Sequence, residues 1–187
     1  MRIVAGKNRG RVLIAPAGGD TRPTLGRARQ SLFDILEHGK FSTTGESLLP
    51  GAKVLEAFAG SGAFAFEALS RGAAFATLMD TSRAALAAQR RNAESLGEVK
   101  TSRILGADAT QPPKGDIQDL VFLDPPYDSG LAPRALTALA AAGWIGPATL
   151  CIIEVASKDA FAAPDSFVTL DERVYGPAKF VFLQRGA

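Results

Sequence analysis

The sequence predicts an α/β fold: a mostly parallel sheet with helices on both faces and an antiparallel hairpin at one edge. Three observations predict it. From residue 52 onward, β-prone apolar runs alternate with helical patterns, which implies parallel strands joined by crossover helices. The first strand passes into its helix through Ala59-Gly60-Ser61-Gly62, and glycines in such a turn let backbone approach a ligand closely. The last two β-prone runs are separated only by Val174-Tyr175-Gly176-Pro177, which reads as a hairpin turn.

Ahead of the alternating part, residues 2–6 and 10–15 are short β-prone runs joined by Lys7-Asn8-Arg9. They read as a hairpin with a basic tip. A loop follows at 16–23, with Thr24 as the N-cap of a helix. There Ala28, Leu32, Ile35 and Leu36 recur at helical spacing, with Arg27 and Arg29 off the apolar stripe. Residues 41–51 read as a linker, so the chain divides into a basic extension (1–40), that linker, and an α/β domain (52–187). Within the domain, strands are expected at 54–58, 75–79, 102–105, 120–123, 150–155, 167–170 and 180–183. Helices are expected at 63–71, 83–96 and 131–142. Trp144, just before Ile145-Gly146-Pro147, is expected to pack ahead of a turn. Cys151 lies in an apolar run and reads as a small buried hydrophobe. His38 is expected at a helix C-terminus, where a cation meets the dipole favourably.

A chain of 187 residues with one cysteine and one histidine holds neither a disulfide framework nor a cysteine or histidine-cluster metal site. It is also poorly equipped for a Ser-His-Asp triad, and no metal is expected. The N-terminus carries no long apolar stretch, so neither signal peptide nor membrane span is expected and the cytoplasm is the expected location. Residues 1–40 hold eight Lys/Arg against three acids, a local +5 within a chain of net +2, leaving −3 on the remainder. Such asymmetry suits a polyanionic partner, although an ordinary solvated charged face has the same composition.

The chemistry-bearing residues sit at the ends of the expected strands. Glu56 lies four residues before Gly60. It would repel a pyrophosphate but can receive an ammonium, which fits S-adenosylmethionine (SAM) better than a dinucleotide. Asp80 ends the second strand, where an acid can take both ribose hydroxyls or begin the next helix. Asp108 follows the third strand and can accept from an adenine amine. After the apolar run 120–123 comes Asp124-Pro125-Pro126-Tyr127. Two prolines force a stiff turn that sets a carboxylate, a carbonyl and an aromatic ring side by side. Two acceptors can hold both N–H groups of a nucleobase amine and aim its lone pair at an electrophilic methyl, while the ring stacks on the base. Glu154, at another strand end, is compatible with either a site or a structural role.

These residues resemble one family over nearly the whole chain. Arg2-Ile3-Val4-Ala5-Gly6, Arg9-Gly10-Arg11, Thr21-Arg22-Pro23-Thr24 and Arg27 to Leu32-Phe33 resemble the N-terminal part of RsmD-type 16S rRNA guanine-N2 methyltransferases. Phe58-Ala59-Gly60-Ser61-Gly62-Ala63 and Glu67-Ala68-Leu69-Ser70-Arg71-Gly72-Ala73 resemble its SAM loop and helix, residues 124–127 its catalytic turn, and Val174-Tyr175-Gly176 its C-terminal hairpin. The resemblance implies a Rossmann-like class I methyltransferase fold. It implies SAM held by Glu56, Phe58, Gly60, Ser61, Gly62, Asp80, Asp108 and Ala109, and a guanine held by Asp124, Pro125, Pro126 and Tyr127. It further implies 16S rRNA, within a small-subunit particle or assembly intermediate, held by Arg9, Arg11, Arg22, Arg27 and Arg29. Two departures stand out. The family's usual Asp and Glu are exchanged at positions 56 and 80, and Leu25-Gly26-Arg27-Ala28-Arg29-Gln30 lacks two acids of the usual Thr-Asp-Arg-Val-Arg-Glu. The alternatives are N6-adenine methylation of DNA or RNA, a non-catalytic SAM-binding RNA chaperone, and glutamine methylation, which usually has Asn at position 124.

Overall fold

A computed structural model describes residues 1–17, 25–127 and 129–186. The elements run α1 (Leu25–Glu37), β1 (Lys53–Ala57), α2 (Ala63–Ser70), β2 (Phe75–Asp80), α3 (Arg83–Leu96), β3 (Ser102–Gly106), β4 (Gln118–Leu123), α4 (Leu131–Ala141), β5 (Ile145–Ala156), β6 (Phe167–Tyr175) and β7 (Ala178–Arg185). The seven strands form one sheet in the order β3-β2-β1-β4-β5-β7-β6. β1 to β5 are parallel, and β7 pairs antiparallel with both β5 and β6.

Strands in the middle of this sheet are buried on both faces, which is why they read as unbroken apolar runs. Leu120, Phe122, Leu150, Ile152, Phe180 and Phe182 pack on the face covered by α1, α2 and part of α3. Val121, Leu123, Cys151, Ile153, Val181 and Leu183 pack on the opposite face, under α4. The chain leaves β1 outward through β2 and β3, then returns to place β4 on the other side of β1. The crevice between β1 and β4 is therefore the topological switch point, where open α/β sheets bind ligands. Ala57 is in register with Leu123, so the glycine turn and the 124–127 turn leave the sheet side by side.

Two strand expectations need correction. β5 begins at Ile145, directly after Trp144, so no turn follows that residue. Gly146 and Pro147 instead sit beside a register shift between Gln118 and Leu120, where the Thr149 hydroxyl bonds both the Gly146 N–H (2.9 Å) and the Gln118 carbonyl (2.6 Å). A bulge tolerates glycine and proline inside a strand. β6 extends to Tyr175. Its second half is an exposed edge carrying Asp171, Glu172 and Arg173, the charged composition that discourages edge-to-edge pairing.

The N-terminal hairpin pairs Arg2 with Val12, carries backbone bonds from Ile3 N to Arg11 O (3.0 Å), Gly10 N to Ile3 O (2.9 Å) and Leu13 N to Met1 O (2.9 Å), and is docked on the helices beneath it. The Glu67 carboxylate accepts from Val4 N (2.8 Å) and Ala5 N (3.0 Å). Ser70 Oγ donates to Ala5 O and accepts from Asn8 N. Asn92 brackets Ile14, accepting from its N–H and donating to its carbonyl. Ile3, Leu13 and α1 share a core with the sheet, and Phe41, Leu48 and Leu49 of segment 41–51 pack into it. The basic tip thus lies at the C-terminal end of α2, while Met1 and Ile14 lie at the glycine-turn end. Thr24 falls outside the described residues. His38 Nδ1 meets the Asp34 carbonyl at 2.5 Å, one turn back along α1.

Candidate active site

The glycine turn is fixed from three sides. Phe58 has φ 58°, a left-handed conformation costly for a bulky side chain and concentrated at functional sites. Asp80 receives Gly60 N on one oxygen and Ser82 N on the other, both at 2.8 Å. Gln89 donates to Gly60 O (3.0 Å) and Asn92 to Ser61 O (2.9 Å). Gln89 and Asn92 were not singled out from sequence. Their only signal is two amides, at i and i+3, on the face of α3 that buries Ala85, Ala88, Ala93 and Leu96. Gly60 has φ 51°, with open space where a Cβ would point. At Gly62, φ 79°, a Cβ would stand 2.3 Å from Leu78 Cδ2, so one glycine leaves room for a ligand and the other permits close packing.

Glu56 is 4% exposed and accepts from Phe64 N (3.2 Å) and Ala65 N (2.9 Å) in the first turn of α2. Burial pushes its carboxyl up to about 8. The two backbone bonds and Arg29 pull the other way, and Asp124 adds to the rise. Asp108 is exposed and folds back on Thr110, accepting from its N–H and hydroxyl at 2.8 Å. Those bonds hold its carboxyl below the ordinary range.

Among the described residues, three cavities border the 124–127 turn. One of about 240 Å³ lies under α1 and is lined by Glu56, Phe58, Gly60, Ser61, Asp124 and Glu154, among others. A second, about 230 Å³, is bordered by Phe58, Asp80, Asp108, Ala109 and Pro126. The third, about 380 Å³, has Pro125, Pro126, Tyr127, Glu154 and Phe161 on its wall. Gly62 does not line any of them; it packs below the turn. The Tyr127 hydroxyl donates to Glu154 Oε1 at 3.3 Å.

The basic residues separate. Arg29, expected off the buried stripe and on the RNA side, is 8% exposed and lines the cavity under α1. Its Nη2 donates to Arg2 O (2.9 Å) and its Nη1 to Met1 Sδ (2.8 Å), while Nε is buried without a partner among the described residues. Burial lowers its pKa, and Glu67, Glu56 and Glu154 oppose that. Arg9, Arg11 and Arg27 are exposed. Arg27 stands in the first turn of α1, Arg9 at the far end of α2, and Arg11 donates to Ser95 O at the end of α3. Arg22 lies outside the described residues.

A family model described as "Conserved hypothetical protein 95" matches residues 1–184. Ribosomal RNA small subunit methyltransferase D of Escherichia coli K12 is 32% identical over 190 residues, covering 100% of this chain and 91% of that one. The Haemophilus influenzae protein of the same name is 28% identical over 189 residues, covering 98% and 93%. The solved structure of Escherichia coli yhhF superposes with TM-score 0.82 at 32% identity, covering 100% of this chain and 98% of that one. Magnesium protoporphyrin IX methyltransferase from Synechocystis PCC 6803, solved with SAM bound, shares the fold alone, with TM-score 0.62 at 16% identity over 91% and 87% of the two chains. The architecture is that of the class I methyltransferases, and the chain belongs to the family described as conserved hypothetical protein 95, the RsmD-type methyltransferases.

Proposed function

We propose that this protein transfers a methyl group from SAM to the exocyclic N2 amine of a guanine in 16S rRNA, within a small-subunit particle or assembly intermediate. The observation that carries this reading is the 124–127 turn, set at the switch point beside the glycine turn and ringed by cavities. The relatives named as small-subunit rRNA methyltransferases support the substrate class.

The residues present fit SAM. The open space beside Gly60 admits a ligand against backbone, and Glu56 offers a buried carboxylate to an ammonium. Arg29 brings an unpartnered Nε to the same cavity, a donor suited to a carboxylate. Asp80 and Asp108 border the second cavity and keep lone pairs for ribose and adenine donors beyond the bonds they already make. Bound there, SAM supplies an electrophilic methyl carbon. Asp124 and the Pro125 carbonyl hold the amine's two N–H groups and turn its lone pair out of ring conjugation. As the nitrogen gains positive charge, the Asp124 carboxylate stabilises it and accepts its departing proton. Stacking on Tyr127 adds about 1–3 kcal/mol. Small-subunit particles from cells lacking the protein, incubated with methyl-labelled SAM, should yield label in N2-methylguanosine. Label on adenine, or only on protein, would refute the guanine reading.

Glu56 gives a pH signature. Its carboxyl lies near 4.5 when unfolded and about 8 when folded. Between those values the folded ligand-free protein keeps a proton that the unfolded chain has lost. This contribution to stability is therefore full below pH 4.5, declines as pH rises to about 8, and is level above. An ammonium docked on Glu56 favours the ionised form, so SAM binding at pH 7 should release a proton. Calorimetry in buffers of different ionisation enthalpy should detect it, and Glu56→Gln should abolish it. A wild-type enthalpy independent of buffer would remove Glu56 from the ammonium site.

For the RNA face, neutralising Arg9, Arg11 and Arg27 together should flatten the salt dependence of RNA binding by about one unit of slope per lost phosphate contact. Singly, Arg27 should matter more than Arg9, because α1 begins at the cavity end. An unchanged slope in the triple variant would return these arginines to an ordinary solvated surface.

A further inference from the structure

Glu154 stands beside the catalytic turn on the neighbouring strand. Leu123 pairs with Ile153, so the next residues, Asp124 and Glu154, occupy consecutive register positions. Side chains alternate along strands, which puts both acids on the face of Phe122, Ile152 and Phe180. Glu154 is 3% exposed yet borders two cavities. It shares the one under α1 with Asp124, Glu56 and Arg29, and the outer one with Tyr127 and Phe161.

Among the described residues, the cavity under α1 brings Glu56, Asp124, Glu154 and Arg29 to one lining. In the proposed reaction Glu56 receives the ammonium of SAM and Asp124 the amine of the target base. Glu154 stands one strand over, about 4.8 Å away in the spacing of a sheet, on the boundary with the aromatic-walled cavity, and a carboxylate can accept from more than one donor. That wall of Tyr127 and Phe161 suits a purine removed from its stack.

The base edges distinguish what such an acceptor can read. Guanine presents its N2 amine and N1–H as adjacent donors. Adenine, with its N6 amine on Asp124, would present the N1 lone pair at the neighbouring position. We infer that Glu154 selects guanine over adenine by accepting the N1–H of the target base while Asp124 holds its N2 amine, an assignment resting on the guanine-N2 reading above. The Asp-Pro-Pro-Tyr turn supplies chemistry common to either amine. The residue beside it on β5 decides which purine is accepted.

The test uses the full-length protein and small-subunit particles assembled on ligated RNA. The methylated guanine, once mapped, is kept or replaced by 2-aminopurine, which retains the 2-amine but has an unprotonated N1. Wild type should favour guanine by roughly 100-fold or more in kcat/KM, since a site built around a donor rejects the analogue lacking it. Glu154→Gln, whose amide can donate to N1, should narrow that ratio at least about tenfold, with S-adenosylhomocysteine affinity by calorimetry within about threefold of wild type. Tyr127→Phe removes the hydroxyl that bonds Glu154 and should lower activity on both bases without moving the ratio. A Glu154→Gln ratio equal to wild type, an equal shift in Tyr127→Phe, or lost S-adenosylhomocysteine binding in Glu154→Gln would each overturn the proposal. Wild-type particles carrying no label on guanine would instead refute the parent reading.

Discussion

Asp124→Ala is expected to lower kcat by roughly 1,000-fold or more while SAM binding survives. The size follows from what is removed: the carboxylate that, in the proposed reaction, holds one amine N–H, stabilises the developing charge and accepts the proton. A single preorganised electrostatic contact is commonly worth about 100- to 1,000-fold. The fold should tolerate the change, because Asp124 is only half-buried and the proline pair keeps the turn stiff without it. The ligand pocket should also persist. Asp124 is one of the charges that raises the Glu56 carboxyl, so its loss makes Glu56 easier to ionise and leaves the ammonium site intact or slightly better. Single-turnover methylation of small-subunit particles, paired with calorimetric SAM titration, separates the two effects. Retention of a tenth or more of wild-type kcat would move the catalytic role elsewhere. Loss of SAM binding with kcat would mean that Asp124 belongs to the donor site.

The sheet and its helices were legible because each depends on local pattern. α3 spans the expected 83–96, stopped at one end by Ser82, whose hydroxyl accepts from Ala85 N, and at the other by Gly97 at φ 75°. Central strands announced themselves as apolar runs because both of their faces are covered. β5 and β6 were read short because their outer parts depend on a neighbour: a threonine hydroxyl bridging a bulge in one case, a charged sheet edge in the other. The candidate site divides the same way. Glu56, Asp80, Asp108 and Asp124 stand at strand ends, which sequence can locate. Arg29 is buried, not off the apolar stripe, because Arg27 and Arg29 differ by which side of α1 meets Met1 and Arg2, a contact between residues far apart in sequence. Gln89 and Asn92 escaped for a related reason, since their partners lie about 30 residues upstream in the glycine turn.

Glu67 concentrates that long-range dependence, and Glu67→Ala should cost about 3–5 kcal/mol of stability, the range for removing one partner of a buried ion pair. The side chain is 0% exposed. It accepts from Val4 N, Ala5 N and Arg71 Nε at 2.8–3.0 Å. Arg71 lies over the Phe33 ring at 4.9 Å, and after the substitution its guanidinium would keep, among the described residues, Glu37 alone, on the exposed side, as an ionic partner. For a chain of this size the loss corresponds to a Tm about 6–20 °C lower. Glu67→Gln should fall in between, keeping acceptor capacity but losing the charge opposite Arg71. The readout specific to Glu67 is hydrogen exchange at Val4 and Ala5. Neither amide takes part in the backbone bonds across the hairpin, and an isolated hairpin is marginal in water, so these amides should exchange almost like coil in the alanine variant. A cost below about 1 kcal/mol, or continued protection of both amides, would assign the docking to Ser70, Asn92 and apolar packing instead. Because Met1 and Pro16 line the cavity under α1, loosening the hairpin should also weaken SAM binding, although Glu67 borders no cavity described around the turn. The N-terminal segment thus supplies one wall of that cavity, through Met1 and Pro16.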